Sequence, residues 1–215
     1  EECYGLTFAG GVMGNTLVNN LKVGDVDGDG FAEIVTAGFT FDGEKVNGQL
    51  RVWSWTGEEV FLEKSKEWIT EDITEVKSMS LNDVDGDGRL DIVTSGVTAV
   101  YGSFFDDVSV PEAAQLRVWS WTGNQLVLKN GVDWVVGEGV CGWNVATGDL
   151  DGDRTVEIVT VGCMYEQNLC DPALRIWSIE NESAPSVPSV LLLGSIVVAV
   201  LVVALFFIRK RQKQL

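Results

Sequence analysis

The sequence predicts an all-β chain of three repeated four-stranded units, followed by one C-terminal transmembrane helix. Three observations predict it. An acidic nonapeptide occurs as DVDGDGFAE at 25–33, DVDGDGRLD at 83–91 and DLDGDRTVE at 149–157. A tryptophan-bearing segment follows each copy, as QLRVWSWTG at 49–57 and at 115–123, and as ALRIWSIEN at 173–181. Residues 190–208, VLLLGSIVVAVLVVALFFI, carry no charge and stand directly before the basic run RKRQK.

Each nonapeptide places acids at its first, third, fifth and ninth positions: Asp25, Asp27, Asp29 and Glu33; Asp83, Asp85, Asp87 and Asp91; Asp149, Asp151, Asp153 and Glu157. Four carboxylates so close together repel one another unless a cation lies among them. Ca2+ suits the pattern, because it accepts about six to eight oxygen ligands in flexible geometry. Alternate side chains and the backbone carbonyl at position seven, from Phe31, Arg89 and Thr155, would supply the oxygens. Glycine at positions four and six gives the tight turn its left-handed backbone. The third copy has Arg154 at position six, so its site is expected to be weaker, with a side chain and a like-charged guanidinium crowding the turn.

An EF-hand would need a glutamate at position twelve and a following helix. Position twelve is Thr36, Thr94 or Thr160, inside EIVTAG, DIVTSG and EIVTVG, whose β-branched residues read as short buried strands. Asp- and Gly-rich turns are common without any ion, but three copies at one spacing favour the cation reading.

The first Asp of each loop precedes the first Trp of the next segment (Trp53, Trp119, Trp177) by 28, 36 and 28 residues. The return from Trp to the next Asp is 30 residues in both available cases, so the extra length lies inside GVTAVYGSFFDDVSVPEAAQ, as in a variable surface loop. Each unit therefore reads as a strand into the loop (VNNLKVG, VKSMSLN, CGWNVATG), a strand out of it, the QLRVWSW strand, and a fourth after the Thr-Gly turn (EVFLEKSKEW, LVLKNGVDW). In QLRVWSW the two-residue period puts Arg51, Trp53 and Trp55 on one face and Leu50 and Val52 on the other. Such a strand needs cover on both faces, which radially stacked β-propeller blades supply. The boundaries are blade repeats at 16–70, 71–136 and 137–180, after an N-terminal segment 1–15 that could be a strand of a flanking blade. Three units are fewer than a closed ring of about four to eight blades, so other segments or chains would complete it.

Tryptophans at matching places in each repeat read as blade-to-blade packing rather than sugar or base contacts. Arg51, Arg117 and Arg175 recur beside them as stacking or capping groups. The four cysteines, Cys3, Cys141, Cys163 and Cys170, are expected to form disulfides. A local Cys163–Cys170 bridge with a long-range Cys3–Cys141 staple is one arrangement, and free buried thiols are the other.

Residues 181–189 read as a linker, with a sequon at Asn181-Glu182-Ser183. As a helix, 190–208 would span roughly 28 Å, about the thickness of a bilayer's hydrocarbon. The basic tail 209–215 would stay cytoplasmic, placing the repeats outside the cell in a single-pass topology. Four of the 15 basic residues lie in that tail, leaving 11 against 32 acids. So acidic a surface is a poor partner for nucleic acid. Millimolar Ca2+ outside cells would fill weak loops there.

The loop, the IVT-x-G strand and the aromatic strand together resemble the FG-GAP or VCBS class of β-propeller repeats, best known from integrin alpha-subunit propellers. The resemblance covers residues 15–180. It implies a Ca2+ in the hairpin loop between the first two strands of a blade, held by the acids named above. Arg154 and the lack of clear Phe-Gly and Gly-Ala-Pro signatures are departures from the pattern.

The function expected is that of a non-enzymatic, membrane-anchored, calcium-binding surface module that presents a propeller face to a protein or glycan ligand or to neighbouring subunits. A structural envelope or filament component is the alternative. A polysaccharide-acting enzyme or its accessory subunit is disfavoured, since the chain has no histidine and its clustered acids are committed to the loops. Asp106 and Asp107 on the inserted segment are the acid pair such an enzyme would need.

Overall fold

A computed structural model describes residues 15–100, 113–135, 139–166 and 169–179, and the side chains within them except 15, 139–143, 164–166 and 169–170. The N-terminal segment with Cys3, the insertion with Asp106 and Asp107, the linker, the apolar stretch 190–208 and the tail lie outside the described residues. The chain divides into two units, Glu1–Ser178 with every strand, and Ile179–Leu215, of which only Ile179 is described. No helix among the described residues is long and apolar enough to cross a membrane.

The described residues are all-β. Repeat 1 is the antiparallel meander β1 (Asn15–Gly24), β2 (Glu33–Phe41), β3 (Val46–Trp55) and β4 (Val60–Trp68). Repeat 2 copies it as β5 (Ile73–Asn82), β6 (Asp91–Ala99), β7 (Ala113–Trp121) and β8 (Leu126–Trp134). Repeat 3 has three strands among the described residues: β9 (Gly139–Gly148), β10 (Glu157–Glu166) and β11 (Leu169–Trp177). Among the described residues one parallel bridge, Val46 opposite Ile73, links β3 to β5 beyond the end of the β3–β4 ladder.

The sheets also stack face to face. β5 packs across β1, β2 and β3, and β9 packs across β5, β6 and β7. Both faces of the middle sheet are thereby covered: every residue of β6 is buried, as is all of β7 beyond Ala113. Its neighbours are covered less completely. Leu17, Leu21 and Val23 on β1 and Leu174 and Ile176 on β11 remain exposed. The main core lies between repeats 1 and 2, where Val35, Leu50 and Val52 meet Met79, Ile92 and Trp119. Burying such side chains stabilises by about 1.5–3 kcal/mol each.

The first strand of every repeat has a bulge, at Asn19, at Lys77 and between Asn144 and Gly142. The bulge explains the glycine of IVT-x-G. A Cβ on Gly38 or Gly96 would lie 1.9 Å from the carbonyl oxygen of Leu17 or Glu75, so only glycine lets the bulged backbone close in. The bulged Asn19 reaches the next repeat, its amide donating to the Val76 carbonyl at 2.7 Å and to Glu75 at 3.2 Å.

Tryptophan and arginine serve packing. Trp53, Trp119 and Trp177 donate their indole N–H to Thr36, Thr94 and Thr160 at 3.0–3.2 Å. The position-twelve threonine, which rules out an EF-hand, is thus the acceptor that fixes each indole. Arg51 stacks over Trp53 and Arg175 over Trp134, while Arg117 donates to the Leu116 and Val132 carbonyls and pairs with Asp133. Cys163 is disulfide-bonded. Its ladder partner is Cys141, whereas Cys170 stands opposite Tyr165.

Candidate metal centres

Each acidic loop joins the first and second strands of its repeat, and all three share one scheme of amide-to-carboxylate hydrogen bonds. The position-one carboxylate caps the turn from inside: Asp25 accepts from the N–H groups of Gly28, Asp29 and Gly30, Asp83 from those of Asp87 and Gly88, and Asp149 from those of Gly152 and Arg154. The position-three carboxylate accepts from the position-five amide at 3.1–3.2 Å. Position five in turn accepts from the amides of Phe31, Arg89 and Thr155 at 2.7–2.9 Å. The acid at position nine reaches back to the amide at position two, as in Glu33 to Val26, Asp91 to Val84 and Glu157 to Leu150.

Positive φ angles at positions four and six make these bonds possible: 80° and 94° in loop 1, 72° and 90° in loop 2, and 83° at Gly152 with 77° at Arg154 in loop 3. The third loop keeps its shape in spite of the arginine. A Cβ at this position has room, since one added at the homologous Gly30 or Gly88 would meet nothing within 4 Å. The cost is conformational, about 1–2 kcal/mol for an L-residue held in the left-handed region.

Ligand atoms of Asp25, Asp27 and Asp29, of Asp83, Asp85 and Asp91, and of Asp149, Asp151 and Glu157 each lie within 4.8 Å of one another. Glu33, Asp87 and Asp153 fall outside these tightest groups and stay tied to their loops through the amides named above. Loops 1 and 2 are anchored by a position-two valine in the core, Val26 and Val84, whereas Leu150 of loop 3 is 55% exposed. The first two loops also lie close together, because a Cβ on Gly28 would be 3.6 Å from the Arg89 side chain.

Residues 25–94 match the family model of the FG-GAP-like repeat. The match runs from the first carboxylate of loop 1 through loop 2 to Thr94. Comparisons with curated proteins and with solved structures gave no match. The FG-GAP-like segment thus holds two complete acidic loops and the strands between them.

A cation already stands in one of these loops. Lys129, on β8, places its ammonium against Asp85, 3.2 Å from Asp87 and 3.3 Å from Asp91. Burial alone would lower the lysine's pKa, but the three carboxylates outweigh it and raise it. Burial pushes Asp91 up to about 6, with Asp85 adding to the rise and Lys129 opposing it. Burial also works against ionised Asp87, yet the Arg89 amide and Lys129 hold it below its ordinary value.

Among the described residues, no cation stands among the leading causes of the shifts in loop 1. Burial raises Asp27, with Asp29, Asp25 and Glu63 adding to the rise. Glu33 is raised by burial and then by Asp27, Asp29 and Asp25. Burial is the larger cause of both shifts, and the neighbouring carboxylates add to it. Sequence reading missed Lys129 and Glu63; aligning VFLEKSKEW with LVLKNGVDW would have shown them at one position.

Proposed function

We propose that the chain is a calcium-binding surface module of the β-propeller kind, with Ca2+ held in its acidic loops and its sheets presented outside a cell to a protein or glycan ligand or to neighbouring subunits. The observation that carries this reading is the recurrence of one oxygen-lined loop three times, one of them already closed around an ammonium. Asp25, Asp27, Asp29 and Glu33 would hold the ion of loop 1, with the Phe31 carbonyl. The corresponding acids of loop 3, with the Thr155 carbonyl, would serve a further ion, and those of loop 2, with the Arg89 carbonyl, would do so once the Lys129 ammonium is displaced. The ion would supply charge neutralisation at the hairpin tips, and the loops would fix the sheets that carry the binding face. No step of this function is catalytic.

The apolar surface on β1 and β11 supports further blades, from additional chain or from neighbouring copies, completing the array. The uncharged stretch 190–208 followed by basic residues supports a single-pass anchor with the repeats outside. Protease added to intact cells should then remove the repeats and spare the tail; tail digestion with the repeats protected would reverse the topology.

Calorimetry with Ca2+ tests the central claim on the full chain. An ion present at one hundred times its dissociation constant adds about 2.7 kcal/mol of stability per site. Melting should rise between chelator and millimolar Ca2+, and Asp25→Asn should remove part of that rise. Identical melting in both conditions would refute the calcium reading.

A further inference from the structure

The fourth strands of repeats 1 and 2 each contain one irregularity, at the same place. Trp53 pairs with Leu62 and Val52 with Lys64, leaving Glu63 as the extra residue; Trp119 pairs with Leu128 and Val118 with Asn130, leaving Lys129 as the extra residue. A bulge re-aims the side chain it displaces. Lys129 reaches Asp85, Asp87 and Asp91 of its own repeat's loop. Glu63 takes the same displaced place on the strand of repeat 1, where the Ser54 hydroxyl orients it by donating to it at 2.5 Å, and its like charge adds the smallest of the contributions that raise Asp27. Two loops of nearly identical sequence thus face opposite charges from one structural position.

We propose that this bulge residue sets which loop takes a divalent ion: Lys129 is a tethered ammonium that occupies loop 2 and excludes Ca2+ from it, while Glu63 adds a fifth carboxylate beside loop 1 and makes it the tighter site. The inference rests on reading the loops as cation sites. Its physical basis is direct. The lysine's three oxygen partners belong to the loop's own acid set, so an ion entering there must displace the ammonium and bear its repulsion at short range. Cation affinity in oxygen-lined loops follows the ligand charge count. Replacing a neighbouring +1 by −1 is the largest change one residue can make to that count. The Lys129 side chain is only 27% exposed, so solvent screens the contact incompletely.

The test is isothermal titration of the full chain with Ca2+, in wild type, Lys129→Gln and Glu63→Lys. Wild type should bind at loop 1, with Asp27→Asn abolishing that uptake and Asp83→Asn leaving it intact. Lys129→Gln should gain one ion, about tenfold or more tighter than any uptake at loop 2 in wild type, and adding Asp83→Asn should cancel the gain. Glu63→Lys should weaken loop 1 by a similar factor. The proposal is overturned if Lys129→Gln gains no ion, or if Asp83→Asn removes an ion from wild type at the concentration that fills loop 1. Should Lys129→Gln fail to fold, Glu63→Lys decides, because unchanged affinity at loop 1 overturns the proposal. Failure of the calcium reading itself looks different: wild type would then show no uptake sensitive to Asp27→Asn, while the gain or its absence in Lys129→Gln would still judge the lysine.

Discussion

The indole of Trp68, which closes repeat 1, packs on that of Trp119 in repeat 2 with ring centroids 4.8 Å apart and planes inclined at 51°. Trp134 and Trp177 repeat the relationship between repeats 2 and 3, at 5.0 Å and 50°. One tilted pair per boundary is the unit of stacking, and its geometry is that preferred by aromatic quadrupoles. Trp119 is 2% exposed, whereas Trp68 is half-buried. Trp119→Ala is therefore expected to cost about 3–5 kcal/mol, more than Trp68→Ala. The coupling in a double-mutant cycle should be about 0.5–1.5 kcal/mol. Urea denaturation of the four proteins measures both, and zero coupling would mean that the rings are merely adjacent.

Gly96 is the next point of stringency. An added methyl would lie 1.9 Å from the Glu75 carbonyl oxygen, which is backbone and cannot swing aside. Gly96→Ala must push β5 away from β6 and should destabilise by about 1–3 kcal/mol or more. Gly148→Ala is the control, since a Cβ there meets nothing within 4 Å. Equal melting of the two variants would show that the bulge yields easily.

These two sites mark the limit of what the sequence made legible. The strands and loops could be read directly because their signals are local: β-branched runs bounded by glycine, and acids at alternate positions. The role of the IVT-x-G glycine could not, because it depends on a bulge in a different strand, at Asn19 or Lys77. Lys129 was hidden for the same reason. Its distance from Asp85 is 44 residues in sequence, and only the register of β7 on β8 brings it to the loop. The left-handed backbone at Arg154 is likewise invisible in the sequence, because it shows only in φ. Residue identity predicts elements; pairing register decides which side chains share a site.

A pH dependence follows from the β2–β3 hairpin. The amides of Lys45 and Glu44 and the side chain of Asn47 hold the Asp42 carboxyl below its ordinary value of 3.8. A depressed native pKa contributes stability that is present above the unfolded value and lost as pH falls through the native one. Thermal melts in chelator should therefore show wild type above Asp42→Ala near neutrality, with the gap narrowing once the pH drops below about 3.8. A gap unchanged at the acid end would place the contribution in turn shape and not in charge.

Arg154 supplies the last prediction, and it is one of gain. The residue holds a φ of 77° in a loop whose two homologous positions are Gly30 at 94° and Gly88 at 90°. Restoring glycine removes about 1–2 kcal/mol of left-handed strain but returns freedom to the unfolded chain, worth about 0.4–1 kcal/mol. Arg154→Gly should accordingly stabilise by up to about 1.6 kcal/mol in chelator. With Ca2+ present the gain should be larger, because the variant also removes a positive charge from the sixth position of the acidic loop. Urea midpoints with and without the ion measure both parts. An unchanged midpoint in chelator would show that the unfolded-state term cancels the strain, and an equal gain in both conditions would mean that the guanidinium does not act on the site.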